Sequence, residues 1–93
     1  MKTDLETVLV AVDIDSYCTD AFFDKIYFDK TDTFRFLYAV LVQFNRRDIV
    51  EKYKDKINFD NINKMPYTWW QALGSDNFDF ICSLKTNDKF LVI

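Results

Sequence analysis

The residues of this chain whose types and spacing invite chemistry lie at positions 10–16, Val10-Ala11-Val12-Asp13-Ile14-Asp15-Ser16. In an extended run, carboxylates two positions apart share a face, because alternate side chains of a strand point the same way. Such a pair can hold a divalent cation such as Mg²⁺, or divide the roles of nucleophile and proton donor. The rest of the reactive inventory is thin. The chain has no His, which removes the commonest general base and metal ligand. Its single Gly leaves no glycine-rich cradle for a phosphate. Cys18 and Cys82 lack CxxC spacing and read as free, buried thiols of a reducing compartment. Asp15 and Asp20 stand near Cys18 in the sequence and oppose its ionisation.

The apolar run ending in Asp13-x-Asp15 resembles the first motif of haloacid-dehalogenase-type phosphatases. That resemblance implies Asp13 as nucleophile and Asp15 as general acid. Ser16-Tyr17 stands where that family carries Gly-Thr, and 93 residues are too few for its many-stranded parallel sheet. A calcium-binding loop fails sooner, since Tyr17 falls on the third ligand position and no glycine supplies the turn. The expectation is a non-enzyme without cofactor or metal, in which Asp13 and Asp15 are solvated.

The elements that must position these groups are organised around residues 33–57, TFRFLYAVLVQFNRRDIVEKYKDKI. Phe34, Leu37, Tyr38, Leu41 and Phe44 recur at steps of three and four, as do Ile49, Val50, Tyr53 and Ile57. With Asp32 as its cap, this is a long central helix or a helical hairpin turning at 45–48. Residues 7–15 alternate Val8, Val10, Val12 and Ile14, which predicts a strand. The helical alternative there uses Thr3 and Glu6 as a capping box, with Leu5, Val8, Leu9 and Val12 as its stripe.

A helix over 20–28 follows, capped by Thr19, with Phe22, Phe23, Ile26 and Tyr27 inward. The polar run 58–64 reads as a loop, and Pro66 opens a short helix that Gly74 ends as a left-handed cap. Alternation of Phe78, Phe80, Cys82 and Leu84, a turn at 86–88 and apolar residues 90–93 predict a β-hairpin. The fold expected is α+β: one small, mostly helical domain over 1–93, with an antiparallel sheet from the N-terminal strand and the C-terminal hairpin. Its rival is an all-α array of helical hairpins. LVAV at 9–12, LYAV at 37–40 and WQAL at 70–73 are spaced much as ankyrin repeats are. The stretch NRRDIV at 45–50 is faintly similar to that family's pattern, although Leu41 and Val42 stand where it places Ala.

Apolar residues make up 49% of the chain and aromatics 18%, enough for a packed core. No run approaches the roughly 18 apolar residues of a membrane span, and no export signal is visible, so a cytoplasmic protein is expected. Charge is the more informative pattern. The formal net charge is −3. Residues 4–32 hold eight acids against Lys25 and Lys30, whereas 35–64 hold seven bases against four acids. An acidic face made of Asp13, Asp15, Asp20 and Asp24, with Trp69 and Trp70 as aromatic anchors, would dock a basic protein. In general composition the chain resembles bacterial toxin-immunity proteins and phage-encoded inhibitors. That implies a partner such as a toxin or another enzyme acting on nucleic acid. The alternative uses Arg46, Arg47, Lys52, Lys54 and Lys56 to bind nucleic acid directly, or makes the chain a structural, assembly-type subunit. Asp48, Glu51 and Asp55 lie among those bases at salt-bridge spacing, which weakens the nucleic-acid reading.

Overall fold

The computed structural model describes residues 5–86, with side chains through Leu84. Its helices are α1 (Leu5–Leu9), α2 (Asp20–Lys25), α3 (Lys30–Tyr38), α4 (Arg47–Lys52), α5 (Phe59–Asn63), α6 (Tyr67–Leu73) and α7 (Ser75–Thr86). Single 3-10 turns occupy Ile14–Ser16 and Lys54–Lys56, and a π turn over Ala39–Gln43 prolongs α3. Helix α3 is the hub, packed against α1, α5 and α6. Because it is covered by several neighbours, its buried surface is wider than one stripe. Phe36, Leu37, Ala39, Val40 and Leu41 are all buried, while Phe34, Tyr38 and Phe44 are only half-buried.

The segment 33–57 turns a corner instead of running as one rod. The Phe44 amide donates to the Ala39 carbonyl at 2.8 Å and the Arg46 amide to that of Val40 at 2.7 Å. Between them Asn45 takes φ 54°, the left-handed region that Asn tolerates better than most side chains. Beyond the corner Ile49, Val50, Tyr53 and Ile57 are buried at the helical spacing their sequence shows. The cap of α3 is Asp29, whose carboxylate accepts the Asp32 amide at 2.8 Å; Asp32 sits inside the first turn. Thr19 caps α2 by accepting the Phe22 amide. That helix stops at Lys25, which leaves Tyr27 82% exposed where an inward ring was expected.

The expected α+β fold is overturned: no strand occurs among the described residues. At the N-terminus Leu5 and Val8 are buried one helical turn apart on α1, and Val10 and Val12 project into solvent. A β-branched run favours a strand only where a neighbouring backbone pairs with it, and none does so here. The supposed hairpin fails for a related reason. Phe78 to Leu84 lie within α7, where Ile81 and Leu84 form the buried face at helical spacing. That alternating heptad contained both periods, and packing chose the longer one. The returning strand at 90–93, most of the turn at 86–88 and Thr3 lie outside the described residues. The polar run at 58–64 is not a loop, since it contains α5, capped by Asn58.

The all-α alternative fits, and the long-range hydrogen bonds show how. Glu6 with Arg35, Asp15 with Arg46, Cys18 with Tyr53, Asp24 with Lys56, Phe28 and Thr33 with Asn61, and Arg47 with Asn77 are all 28 to 35 residues apart. Successive helical units therefore lie side by side, with α1, α3 and α6 as consecutive neighbours. The core running through them includes a knot of rings centred on Phe23. Phe22, Phe28, Phe36 and Tyr53 surround it, with centroids between 4.6 and 6.0 Å away.

Candidate functional site

The acids of the N-terminal third are largely engaged within the chain. Asp15 receives two hydrogen bonds from Arg46, at 2.8 and 3.0 Å, and the same guanidinium reaches both oxygens of Asp48 at 2.9 and 3.0 Å. Fork-on-fork geometry of this kind fixes orientation as well as charge. Hydrogen bonding to Asp48, and then to Asp15, holds the Arg46 pKa well above its ordinary value, and Arg46 in turn lowers that of Asp48. Asp24 accepts from the Lys56 ammonium at 2.7 Å, which raises the lysine pKa. Glu6 pairs with Arg35. Asp13 accepts the Ser16 hydroxyl at 2.7 Å, and Asp20 is exposed with no ion pair among the described residues. Of Asp13, Asp15, Asp20 and Asp24, the basic middle of the chain therefore already answers two, Asp15 and Asp24.

The same contacts occupy the bases. Arg46 and Lys56 are paired, Arg47 lies 5.2 Å over the Phe80 ring and bonds Asn77, and Lys52 lies 5.2 Å over Tyr53. Among the described residues no group of three or more His, Cys, Asp or Glu is arranged to hold a metal ion. Cys18 is buried, and burial, with the Asp15 carboxylate adding to it against Arg46, pushes its thiol up to about 11. Cys82 is half-buried on α7.

The two tryptophans diverge as adjacent helical positions must. Trp69 faces the body of the protein: its ring lies 4.9 Å from Phe34 and takes the Lys30 ammonium at 5.9 Å. Trp70 turns toward α7 and meets Phe78 edge-to-face, with centroids 4.9 Å apart and planes at 89°. Those two rings, with Tyr67, Gln71 and Ser75, line a solvent-open pocket of about 520 Å³. Tyr67 is 75% exposed and Phe78 42%.

The local sequence dictates this pocket. Tyr67, Trp70 and Gln71 share one face of α6 at i, i+3 and i+4, and Ser75 and Phe78 share one face of α7. Gly74 alone joins the helices, at φ 96° and ψ 152°, a conformation essentially reserved for glycine. Asn77 donates to the Leu73 carbonyl at 2.8 Å and so closes the end of α6. Of the residues singled out in the sequence, only Trp70 belongs to the pocket. A strand register over 78–84 turns Phe78 away from Ser75, whereas their i, i+3 spacing on a helix sets them on one face; Gln71 and Ser75 carry no signal in the sequence beyond that spacing.

Among the described residues no helix is long and apolar enough to cross a membrane. Compared with protein-family models, curated proteins and solved structures, the chain matches none of them.

Proposed function

We propose that this chain is a non-enzymatic, cytoplasmic binding protein that neutralises a basic protein partner by direct contact, as an inhibitor or immunity protein does to a toxin or another enzyme acting on nucleic acid. The observation that carries the reading is the open aromatic pocket between α6 and α7 on a chain of net charge −3. Trp and Tyr in partly desolvated pockets are the side chains that most often dominate protein–protein affinity. The negative balance of the whole molecule would steer a basic partner toward it and quicken association. Relative to the sequence reading, the apolar anchor moves to Tyr67, Trp70 and Phe78. Asp20, outside any ion pair though it acts on Lys56 through space, remains to steer, and Asp15 and Asp24 are committed to internal pairs.

The test is affinity capture from the native cell with the wild type, Trp70→Ala and Asp20→Lys. A basic partner should be recovered, lost with Trp70→Ala, and bound more slowly and less salt-sensitively by Asp20→Lys. Recovery of an acidic partner, or of one indifferent to Trp70→Ala, would sink the reading.

A further inference from the structure

Three aromatic rings of this protein already carry a cation of their own. Lys30 lies over Trp69, Arg47 over Phe80 and Lys52 over Tyr53, at 5.2 to 5.9 Å from the ring centres. The rings of the α6–α7 pocket are built from the same residue types, and one of them, Trp70, directly follows a served ring in sequence. Yet Tyr67, Trp70 and Phe78 hold no cation among the described residues. Two of the pocket's walls, Trp70 and Phe78, stand perpendicular at 89°. Their edge-to-face contact leaves no room between these two rings, so a guest would meet the ring surface of Tyr67, Trp70 and Phe78 that is turned to the open volume.

Helix α7 carries two acids of the matching sign, although Arg47 also reaches that helix at Asn77 and Phe80. Asp79 follows Ser75 by one helical turn and is exposed, and Asp76 is exposed in the first turn of α7. Neither has an ion-pair partner among the described residues. Helix α6 itself, YTWWQAL, contributes no charge of either sign.

We infer that the pocket between α6 and α7 is a receptor for a cationic side chain, a lysine or arginine presented by a basic protein, held against the faces of Tyr67, Trp70 and Phe78 with Asp79 beside it. This rests on the binding role proposed above and specifies the group recognised. The pocket is larger than one ammonium or guanidinium group needs, so the aliphatic stem enters with its charged head. Gln71 and Ser75 supply oxygen acceptors that a protonated head can use.

The inference is tested on the full chain by titrating three small probes while following the two indole N–H signals by NMR. The probes are N-acetyl-lysine amide, N-acetyl-arginine amide and N-acetyl-norleucine amide, the last being the lysine stem without its ammonium. Both cationic probes should shift the Trp70 indole signal saturably and leave that of Trp69 in place. The norleucine probe should bind at least about threefold more weakly, the factor a modest cation–π contribution corresponds to. Asp79→Asn should weaken the cationic probes about twofold and leave the neutral one unchanged. Trp70→Phe, which keeps a ring, should weaken them less than Trp70→Leu, both followed by the backbone amide signals of Gln71 and Ser75, with the Trp69 indole signal reporting that both variants remain folded. Equal binding of norleucine and lysine probes would overturn the inference and leave an apolar anchor, so the proposed function would survive it. A response at Trp69 instead of Trp70, or none at either, would overturn it outright.

Discussion

Two aromatic groups in this protein do opposite things. Around Phe23 the rings of Phe22, Phe28, Phe36 and Tyr53 close on one another, and all but Phe28 are buried. Between α6 and α7, Tyr67, Trp70 and Phe78 surround an open volume. The difference lies in what stands behind the rings. The first group is enclosed by α2, α3, the end of α4 and the Asn61 tether from α5; in the second, Trp70 packs against the core while Tyr67 and Phe78 stay exposed. Burial of rings in the first group stabilises the fold, whereas exposure in the second leaves apolar surface available for recognition.

Truncation should separate the two groups most sharply. Phe36→Ala should cost about 3–5 kcal/mol, since it empties a fully buried site, and should lower the urea midpoint accordingly. Trp70→Ala should cost less, about 1–3 kcal/mol, since a partly buried ring loses its contact with Phe78 and only part of a full burial. Equal costs would mean that the α6–α7 rings are core and that the contrast is false.

Asn61 marks the boundary of the sealed region. Its side-chain amide donates to the Phe28 carbonyl at 2.6 Å and to the Thr33 hydroxyl at 3.3 Å. Asn61→Ala should cost about 1–3 kcal/mol by leaving buried acceptors unpaired, measured by the same unfolding curve. If Asn61→Ala is silent, the tether does not hold α5 over the rings.

The corner between α3 and α4 gives a smaller effect with a built-in control. Asn45→Val should cost about 1–2 kcal/mol because a β-branched residue resists φ 54°, while Asn45→Gly should be nearly neutral. Equal loss in both variants would assign the cost to the Asn side chain and not to backbone strain.

Each region also holds one thiol, and reactivity should follow the same division. An aromatic disulfide reagent should modify half-buried Cys82 in the native state and reach Cys18 only on unfolding. Cys18 adds a pH signature. Its thiol is pushed up from an ordinary 9.0 to about 11, so the stability it contributes is present below pH 9 and lost as pH rises through about 11. Cys18→Ala should flatten that alkaline limb in a pH series of thermal melts.

The ion pairs, mostly exposed, should give the smallest of these effects. The contribution of Asp48, whose pKa Arg46 lowers, is present above the ordinary carboxylate range and lost as pH falls through its lowered value. Arg46→Ala should shrink both the acid limb and the salt dependence of melting. An unchanged salt dependence would show that the Asp15–Arg46–Asp48 clamp is not formed in solution.

Composition, the missing His, the single Gly and the helical spacing of 33–57 were enough to specify a helical core with Leu37, Leu41, Ile49, Val50, Tyr53 and Ile57 inside it, and to place caps at Thr19 and a stop at Gly74. These are local properties: a side chain's period, a hydroxyl before a free amide, a residue without Cβ. Whether 7–15 and 78–84 became strands was not a local matter, since both carry two periods at once and only a paired neighbour makes a strand. The fate of the charges was equally hidden. An excess of acid over 4–32 and of base over 35–64 reads as two opposed faces along the chain. Only the side-by-side stacking of units about thirty residues apart brings Asp15 to Arg46 and Asp24 to Lys56, cancelling charge that the linear sequence displays. The pocket belongs to the same category. Tyr67, Trp70 and Phe78 lie within twelve positions of one another, but it takes the single-residue joint at Gly74, folding α7 beside α6, to turn three rings into the walls of one open pocket.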